Sequence, residues 1–393
     1  MQVIVLAAGR GTRMQPLTEN VPKPMLPLGP KPMVARVADT AITAGAEQLV
    51  FVVGYEGQSV REYIGESYGG VPVTYVEQRD QVGTADAVRV AADHVSGRFA
   101  VLNGDNIYDT ESLSELFETG PGIGAYQVEN PTAYGVLETQ AGFVEGLIEK
   151  PVNPPSTLIN AGAYVFPEST TALLDVPKSD RGEFELTDVV NRVIDEHELS
   201  FVEFDRWKDV GRPWELLEAT AAVLGDQPKR IDGTVHPNAE ISGPVVVESG
   251  ATIQSGVTVE GPAYISEGST VGPNAYIRGS IYLATDVHVG HGVEIKNSIL
   301  MSGTAVPHLS YVGDSVLGRN VNLGAGTNVA NLRHDGGPIK HTVKGDRVST
   351  GRRKFGVVIG DNAKTGINTS LYPGVTLSTG TITEPGERVS RDK

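Results

Sequence analysis

Residues 241–301 read ISGPVVVESGATIQSGVTVEGPAYISEGSTVGPNAYIRGSIYLATDVHVGHGVEIKNSILM, and a six-residue period runs through the whole stretch. Steps of six from Ile241 reach only aliphatic residues, which are Val247, Ile253, Val259, Ile265, Val271, Ile277, Leu283, Val289, Ile295 and Met301. Glycine, asparagine and aspartate lie between them, where tight corners demand unusual backbone angles. Short strands joined by such corners predict a parallel β-helix, because the strands of a β-sandwich recur at spacings of about 8–12 residues.

The repeat breaks after Met301 and resumes at Leu317, Leu323 and Val329. It is interrupted again from Ala330 to about Val358, and it returns at Ile359, Thr365, Leu371, Leu377 and Thr383. The interrupting segment is basic within an acidic chain, with Arg333, His334, Lys340, Lys344, Arg347, Arg352, Arg353 and Lys354. Because cations suit phosphorylated ligands, we expect functional residues at this interruption, although a solvated loop that balances charge is the simpler alternative.

Composition limits the class of protein. The 393 residues include 48 acidic and 32 basic ones, for a net charge of −16, which argues against a nucleic-acid partner. There is no cysteine, which excludes disulfides and thiolate chemistry. The N-terminus does not resemble a signal peptide, and no apolar run approaches the ~20 residues that span a bilayer. We therefore expect a soluble cytoplasmic protein with no nucleic-acid or membrane partner.

The first half alternates strands with helices. Apolar runs at Val3–Ala8, Leu49–Val53, Val71–Val76, Phe99–Leu102 and Ala161–Phe166 are separated by helical patterns such as Pro32–Ala44 and Thr84–His94. This alternation predicts an α/β domain with a mostly parallel sheet and helices on both faces. A polar stretch after the predicted helix Trp214–Val223 separates two predicted domains, residues 1–225 and residues 231–389.

Charged residues gather after the strands of this first half. The turn Gly9–Gly11 follows the first strand and can cradle an anion with its backbone N–H groups. Arg13 closes the turn, and Lys23 stands between two prolines that restrict the chain. Asp105 follows a strand at the edge where open α/β sheets bind ligands, and Asp209 supplies a second carboxylate. Two aspartates brought together can hold Mg²⁺ beside substrate phosphates.

These motifs resemble those of a known enzyme family. The stretches Leu6–Met14, Pro22-Lys23-Pro24, Gln81–Ala87 and Asn103-Gly104-Asp105 resemble sugar-1-phosphate nucleotidylyltransferases over residues 1–225, which implies a Rossmann-like domain. The repeat resembles left-handed hexapeptide acyltransferases, which are commonly trimers. Together the two halves resemble the archaeal form of the bifunctional N-acetylglucosamine-1-phosphate uridylyltransferase and glucosamine-1-phosphate acetyltransferase family. The resemblance implies synthesis of UDP-N-acetylglucosamine by a homotrimer joined through the β-helix.

The resemblance also implies residue roles in the first half. Arg13 and Lys23 would be catalytic, and Asp105 with Asp209 would hold Mg²⁺. The nucleotide UTP or dTTP would contact Leu6, Ala7, Ala8, Gly9, Gly11, Gln78, Gly83 and Thr84. The sugar phosphate would contact Gly135, Glu149 and Asn160. The 83–85 motif resembles uridylyl enzymes, whereas Glu149-Lys150-Pro151 and the residues around Asp209 resemble thymidylyl enzymes, so the nucleotide stays open between UTP and dTTP.

In the second half, the resemblance makes His308 the general base for transfer of an acetyl group from acetyl-CoA. Glucosamine-1-phosphate would be bound by Arg278, Lys296, Tyr311, Asn331 and Lys340. Glu294 would help to orient the site, and Ala325 would line the path of acetyl-CoA. Two alternatives remain, namely a single-function glucose-1-phosphate thymidylyl- or uridylyltransferase with an inert β-helix, and a non-catalytic regulatory subunit. Galactosamine-1-phosphate also remains possible as the acceptor.

Overall fold

The computed structural model describes all 393 residues, which form two compact units. The first unit comprises Met1–Arg10, Val21–Met25 and Pro32–Asp209, and the second comprises Gly11–Asn20, Leu26–Lys31 and Val210–Lys393. The α-helices are α1 (Met33–Thr43), α2 (Gly57–Ile64), α3 (Thr84–Ala91), α4 (Thr110–Thr119), α5 (Leu186–Glu196) and α6 (Pro213–Gly225). Single 3₁₀ segments cover Thr12–Met14, Lys23–Met25, Ala92–His94, Pro131–Ala133 and Glu168–Leu173.

Twelve strands build the sheets of the first unit. They are β1 (Gln2–Ala7), β2 (Gln48–Val53), β3 (Ser67–Tyr68), β4 (Val71–Glu77), β5 (Phe99–Asn103), β6 (Asn106–Tyr108), β7 (Gly122–Gln127), β8 (Gly135–Gln140), β9 (Phe143–Glu149), β10 (Leu158–Phe166), β11 (Ser200–Glu203) and β12 (Trp207–Asp209). Ten of them form one sheet in the order β8-β9-β11-β7-β10-β5-β1-β2-β4-β3, and β6 pairs with β12. A further short pairing joins Pro27–Leu28 to Lys31–Pro32.

The sheet is mixed, so the prediction of a mostly parallel sheet holds for only one part of it. Strands β5, β1, β2 and β4 are parallel neighbours, as expected for strands joined by helices. The other part is largely antiparallel: β10 runs antiparallel to β5 and β7, and β8 and β9 form a hairpin joined by Ala141-Gly142, with φ values of 52° and 90°. Such a two-residue turn reverses the chain at once and leaves no crossover helix.

Both faces of the sheet are covered, as predicted. Val3, Val5 and Ala7 of β1 point into a hydrophobic layer that includes residues of α1 and α4. Ile4 of β1 points the other way, into a layer built with α3 and α5. Alternate side chains of a strand face opposite sides, so a strand buried on both faces reads as an unbroken apolar run.

The second half is a parallel β-helix whose short strands stack into three faces. The first face contains Arg230–Ile231, Val245–Val247, Ala263–Ile265, Ile281–Leu283, Ile299–Leu300, Val316–Leu317, Val358–Ile359 and Thr376–Leu377. The second contains Thr234–Val235, Thr252–Ile253, Thr270–Val271, His288–His291 and Ala305–His308. The third contains Glu240–Ser242, Thr258–Glu260, Tyr276–Arg278, Glu294–Lys296, Tyr311–Gly313, Asn328–Val329, Ser370–Leu371 and Arg388–Val389. The predicted aliphatic stripe fills the core.

The register corrects the predicted position of the break. Val245 pairs with Ala263, 18 residues on, but Tyr282 pairs with Ile299, 17 residues on. The first short corner therefore precedes Ile299, and the core residue of that strand is Leu300 rather than Met301. Met301 is also buried and aliphatic, which hid the slip in the sequence. The predicted interruption from Ala330 to Val358 carries an antiparallel hairpin of Lys340–Val343 and Asp346–Ser349.

Candidate active sites

A cleft of about 330 Å³ opens beside the ends of the parallel strands in the first unit. Six of the residues predicted to bind nucleotide line it, namely Leu6, Ala8, Gly9, Gln78, Gly83 and Thr84. Ala7 does not, because its position in β1 directs it into the opposite hydrophobic layer. The lining also contains residues not predicted as ligands, which are Pro24, Gln81, Ala87, Asn103 and Glu183. Asn103 belongs to the motif that also holds Asp105, whereas nothing in the sequence singles out Glu183.

Lys23 links the two predicted metal ligands. Its ammonium lies 2.5 Å from Asp105 Oδ2 and 3.8 Å from Asp209 Oδ1. Lys23 is 5% exposed, so its charge is held in place at the cleft wall. Two carboxylates beside the same ammonium suit Mg²⁺, which binds through one or two carboxylates and completes its shell with phosphate oxygens and water. Asp105 and Asp209 would therefore hold Mg²⁺ together with a bound triphosphate.

The side chain of Gln78 is held in place at the cleft by two hydrogen bonds. Its amide nitrogen donates to the carbonyl oxygen of Gly83 at 3.0 Å and to Asp86 Oδ2 at 2.9 Å. Both amide hydrogens are thereby used, and the amide oxygen is left as a hydrogen-bond acceptor. Thr84 Oγ1 accepts from the backbone N–H of Leu186 at 3.0 Å, so its own hydroxyl hydrogen can still be donated.

The three residues predicted to bind the sugar are brought together. Gly135 pairs with Glu149 across β8 and β9. A Cβ added to Gly135 would lie 3.2 Å from Glu149 Oε2 and 3.6 Å from Asn160 Cβ, so the three residues are close neighbours. Glu149 also accepts from Lys150 at 2.8 Å and from Arg181 at 3.1 Å, which the sequence did not indicate.

Gly11 and Arg13, which were predicted to act in nucleotidyl transfer, belong by their contacts to the second unit. Gly11 has a left-handed φ of 66° and opens the 3₁₀ segment Thr12–Met14, on which Arg13 is exposed. The catalytic role of Arg13 stays a prediction.

Four predicted residues of the acetyltransferase half meet on the third face of the β-helix. The register stacks Arg278 beside Lys296, and Glu294 beside Tyr311, in successive coils. Arg278 donates to Glu294 at 2.8 Å, and this bond raises the pKa of the guanidinium. Burial raises the pKa of the Tyr311 phenol, whose oxygen accepts from Asn331 Nδ2 at 3.1 Å.

Asp314 joins this cluster although it was not predicted as a site residue. Its Oδ2 accepts from Lys296 Nζ at 2.8 Å and from Asn331 Nδ2 at 2.6 Å. The sequence signal was its place at the end of the stretch from His308 to Asp314, where the repeat breaks.

His308 ends a second-face strand and is exposed. Its carbonyl oxygen accepts from the backbone N–H of Gly326 at 3.1 Å, which places the neighbouring Ala325 one coil further on. Lys340 is exposed on the hairpin of the inserted segment, and no contact joins it to the cluster around Asp314. The roles predicted for these three residues remain predictions.

The comparisons with known proteins agree with both halves. Residues 2–225 match the nucleotidyl transferase family, and residues 259–355 match the GMPPB C-terminal domain. The bifunctional protein GlmU of Methanococcus aeolicus is 40% identical over 96% of this chain and 92% of its own length. A bifunctional sugar-1-phosphate nucleotidylyltransferase/acetyltransferase from Sulfurisphaera tokodaii is 37% identical over 100% of this chain and 98% of its own length.

A crystal structure of a glucose-1-phosphate thymidylyltransferase from Bacillus anthracis is also similar, with a TM-score of 0.52 and 28% identity. It covers 56% of this chain and 94% of its own length. Fold and cleft thus define a nucleotidyl transferase that is followed along the chain by a β-helix. The chain belongs to the family of bifunctional GlmU proteins.

This membership confirms the family predicted from the sequence, and with it the prediction of an enzyme that joins a nucleotidyltransferase to an acetyltransferase. No helix of the chain has both the length and the apolar character needed to cross a membrane.

Proposed function

We propose that the chain makes UDP-N-acetylglucosamine in two steps, acetyl transfer in residues 231–389 and then uridylyl transfer in residues 1–225. The observation that carries the proposal is the presence of two separate polar clusters. One is the Lys23, Asp105 and Asp209 cluster at the nucleotide cleft. The other is the Lys296, Asp314 and Asn331 cluster on the β-helix, in the segment that contains His308.

Acetyl transfer comes first. The 2-amino nitrogen of glucosamine-1-phosphate bonds to the carbonyl carbon of acetyl-CoA, and the carbon–sulfur bond breaks. His308 takes the proton that the amine loses, and coenzyme A leaves as the thiol once its sulfur is protonated. Histidine suits this task because its ordinary pKa lies near neutrality. Arg278, Lys296, Tyr311, Asn331 and Lys340 would bind the sugar phosphate, and Ala325 would line the acetyl-CoA path.

Uridylyl transfer needs no general base, since the attacking phosphate is already ionised. An oxygen of N-acetylglucosamine-1-phosphate bonds to the α-phosphorus of UTP, and the bond to the leaving pyrophosphate breaks. Bound Mg²⁺ would neutralise charge on the triphosphate. Lys23 contributes a fixed cation, Gln78 and Gly83 orient the base, and positioning with charge neutralisation supplies the catalysis. Arg13 would neutralise the leaving pyrophosphate.

The test incubates the protein with glucosamine-1-phosphate, acetyl-CoA, UTP and Mg²⁺, and measures free thiol and pyrophosphate separately. We expect both products, with pyrophosphate dependent on prior acetylation. Pyrophosphate from glucose-1-phosphate with no thiol would favour the single-function enzyme, and neither product would favour the regulatory subunit. Parallel reactions with dTTP and with galactosamine-1-phosphate decide the nucleotide and the acceptor.

A homotrimer joined through the β-helix is part of the proposal. It is supported by exposed aliphatic side chains on that half, with Leu309 63% exposed, Ile367 54% and Ile382 67%. Light scattering after gel filtration should give three times the chain mass of 41.6 kDa. A monomer would contradict this part alone.

A further inference from the structure

The side chain of Asp314 is only 4% exposed, yet it accepts hydrogen bonds from three other side chains. Lys296 Nζ and Asn331 Nδ2 reach Oδ2 at 2.8 and 2.6 Å, and Asn297 Nδ2 reaches Oδ1 at 2.8 Å. A buried carboxylate is costly unless it is paired and hydrogen-bonded. The three donors meet this need, and the carboxylate is too buried to contact a substrate directly.

The backbone of Asp314 connects the same parts of the chain. Its N–H donates to the carbonyl oxygen of Lys296 at 2.8 Å, and its own carbonyl oxygen accepts from the N–H of Gly356 at 2.9 Å. Asn331 stands at the start of the inserted segment, and Gly356 stands at its end. Asp314 therefore fastens both ends of the insertion to the coil that carries Lys296.

We propose that Asp314 is the positioning residue of the amino-sugar phosphate site. It holds the ammonium of Lys296 and the amide of Asn331 in one geometry, although these two residues come from different coils. The inference rests on the proposed acetyl transfer, in which Lys296 and Asn331 bind glucosamine-1-phosphate. Asp314 acts through them and does not touch the substrate.

The substitution that tests this is Asp314→Asn. Asp314 has a φ of 52°, and asparagine adopts the same left-handed region at Asn297, Asn320 and Asn362, so the corner keeps its backbone. The new amide removes the charge and turns a donor toward Lys296 or Asn331. Loss of a charge-assisted hydrogen bond predicts a rise of about 10–100-fold in the KM for glucosamine-1-phosphate. The KM for acetyl-CoA, kcat and pyrophosphate release should stay close to wild type.

Asp286→Asn is the matched control. Asp286 lies at an exposed β-helix corner with a φ of 58° and forms no ion pair, so its sugar KM should not change. A second variant, Asn297→Gly, keeps the left-handed corner and removes one donor to Asp314, and it should raise the same KM by a smaller factor. A double-mutant cycle with Lys296→Met then asks whether Asp314 acts through Lys296, in which case the effect of D314N shrinks in that background.

The outcomes are separable. Absence of thiol release by the wild type would refute acetyl transfer itself. With an active wild type, the positioning role is overturned if no folded variant of Asp314 or Asn297 raises the sugar KM beyond the D286N control. It is also overturned if D314N has its full effect in the Lys296→Met background. Thermal unfolding and pyrophosphate release show which variants are folded.

Discussion

Gly83→Ala should slow nucleotidyl transfer, because the added methyl group would displace the backbone at the nucleotide cleft. Gly83 has a φ of 134°, and a Cβ there would overlap the carbonyl oxygen of Phe184 and lie 2.5 Å from its nitrogen. Ordinary contact begins at 3.4 Å, so the backbones at Gly83 and Phe184 must separate by at least 3.4 − 2.5, or 0.9 Å. Gly83 and Gln78 line the cleft together and are hydrogen-bonded. A misplacement of about 1 Å costs on the order of 100-fold in rate, or about 2.7 kcal/mol of barrier.

Gly45→Ala separates this displacement from backbone strain. Gly45 has a φ of 106°, but a Cβ there would meet nothing within 4 Å. Both variants should lose about 1–3 kcal/mol of stability from the unfavourable φ, measured by urea unfolding. Only G83A should lose pyrophosphate release, read as kcat/KM for UTP, and thiol release should be normal in both. Equal kcat/KM values in the two folded variants would refute the reasoning.

Four further results are expected. Asp105→Asn should abolish pyrophosphate release and spare thiol release; parallel loss of both would contradict independent sites. His308→Ala should do the reverse, and normal acetylation would rule out its role as the base. EDTA should stop pyrophosphate release alone, with Mg²⁺ restoring it; activity in EDTA would argue against a metal at Asp105 and Asp209. Burial lowers the pKa of His341 from 6.5 to about 4, so the free energy of unfolding should fall by up to about 3 kcal/mol as the pH drops from 6.5 to 4. His341→Gln should remove this loss and exposed His94→Gln should not; an unchanged slope in H341Q would contradict it.

Local patterns in the sequence were enough to predict the β-helix, because each aliphatic residue of the stripe packs against its counterpart one coil away. Three of the four parallel strands, β1, β2 and β5, were likewise visible as unbroken apolar runs. The hairpin of β8 and β9 was missed because its strands alternate less clearly, as with exposed Phe143 and Ile148. Asp314 was missed as a site residue because its role depends on donors 17 or 18 residues away along the chain, and only the register brings them together.

The irregularities of the repeat all occur at the corner between the third face and the first. The corner from the third face to the first is short before Ile299 and again before Val316, since Tyr282 pairs with Ile299 and Ile299 with Val316 at a spacing of 17. At the same corner one coil later, the chain leaves Val329 and returns only at Val358. Asn297, Asp314 and Asn331 each follow a third-face strand at these three successive corners.

The regular corners from the third face to the first carry glycine, at Gly243, Gly261 and Gly279. Here the two short corners and the insertion bring three polar side chains into contact with one another instead. The departures from the six-residue repeat therefore build the polar cluster of the third-face site. If so, inserting one residue after Asn297, which restores a regular six-residue step, should raise the KM for glucosamine-1-phosphate, because the longer corner would move Asn297 away from Asp314. The same insertion after Gly243, at a third-to-first corner of a coil that carries no predicted site residue, should only destabilise the fold; equal KM values for glucosamine-1-phosphate in the two variants would contradict this link.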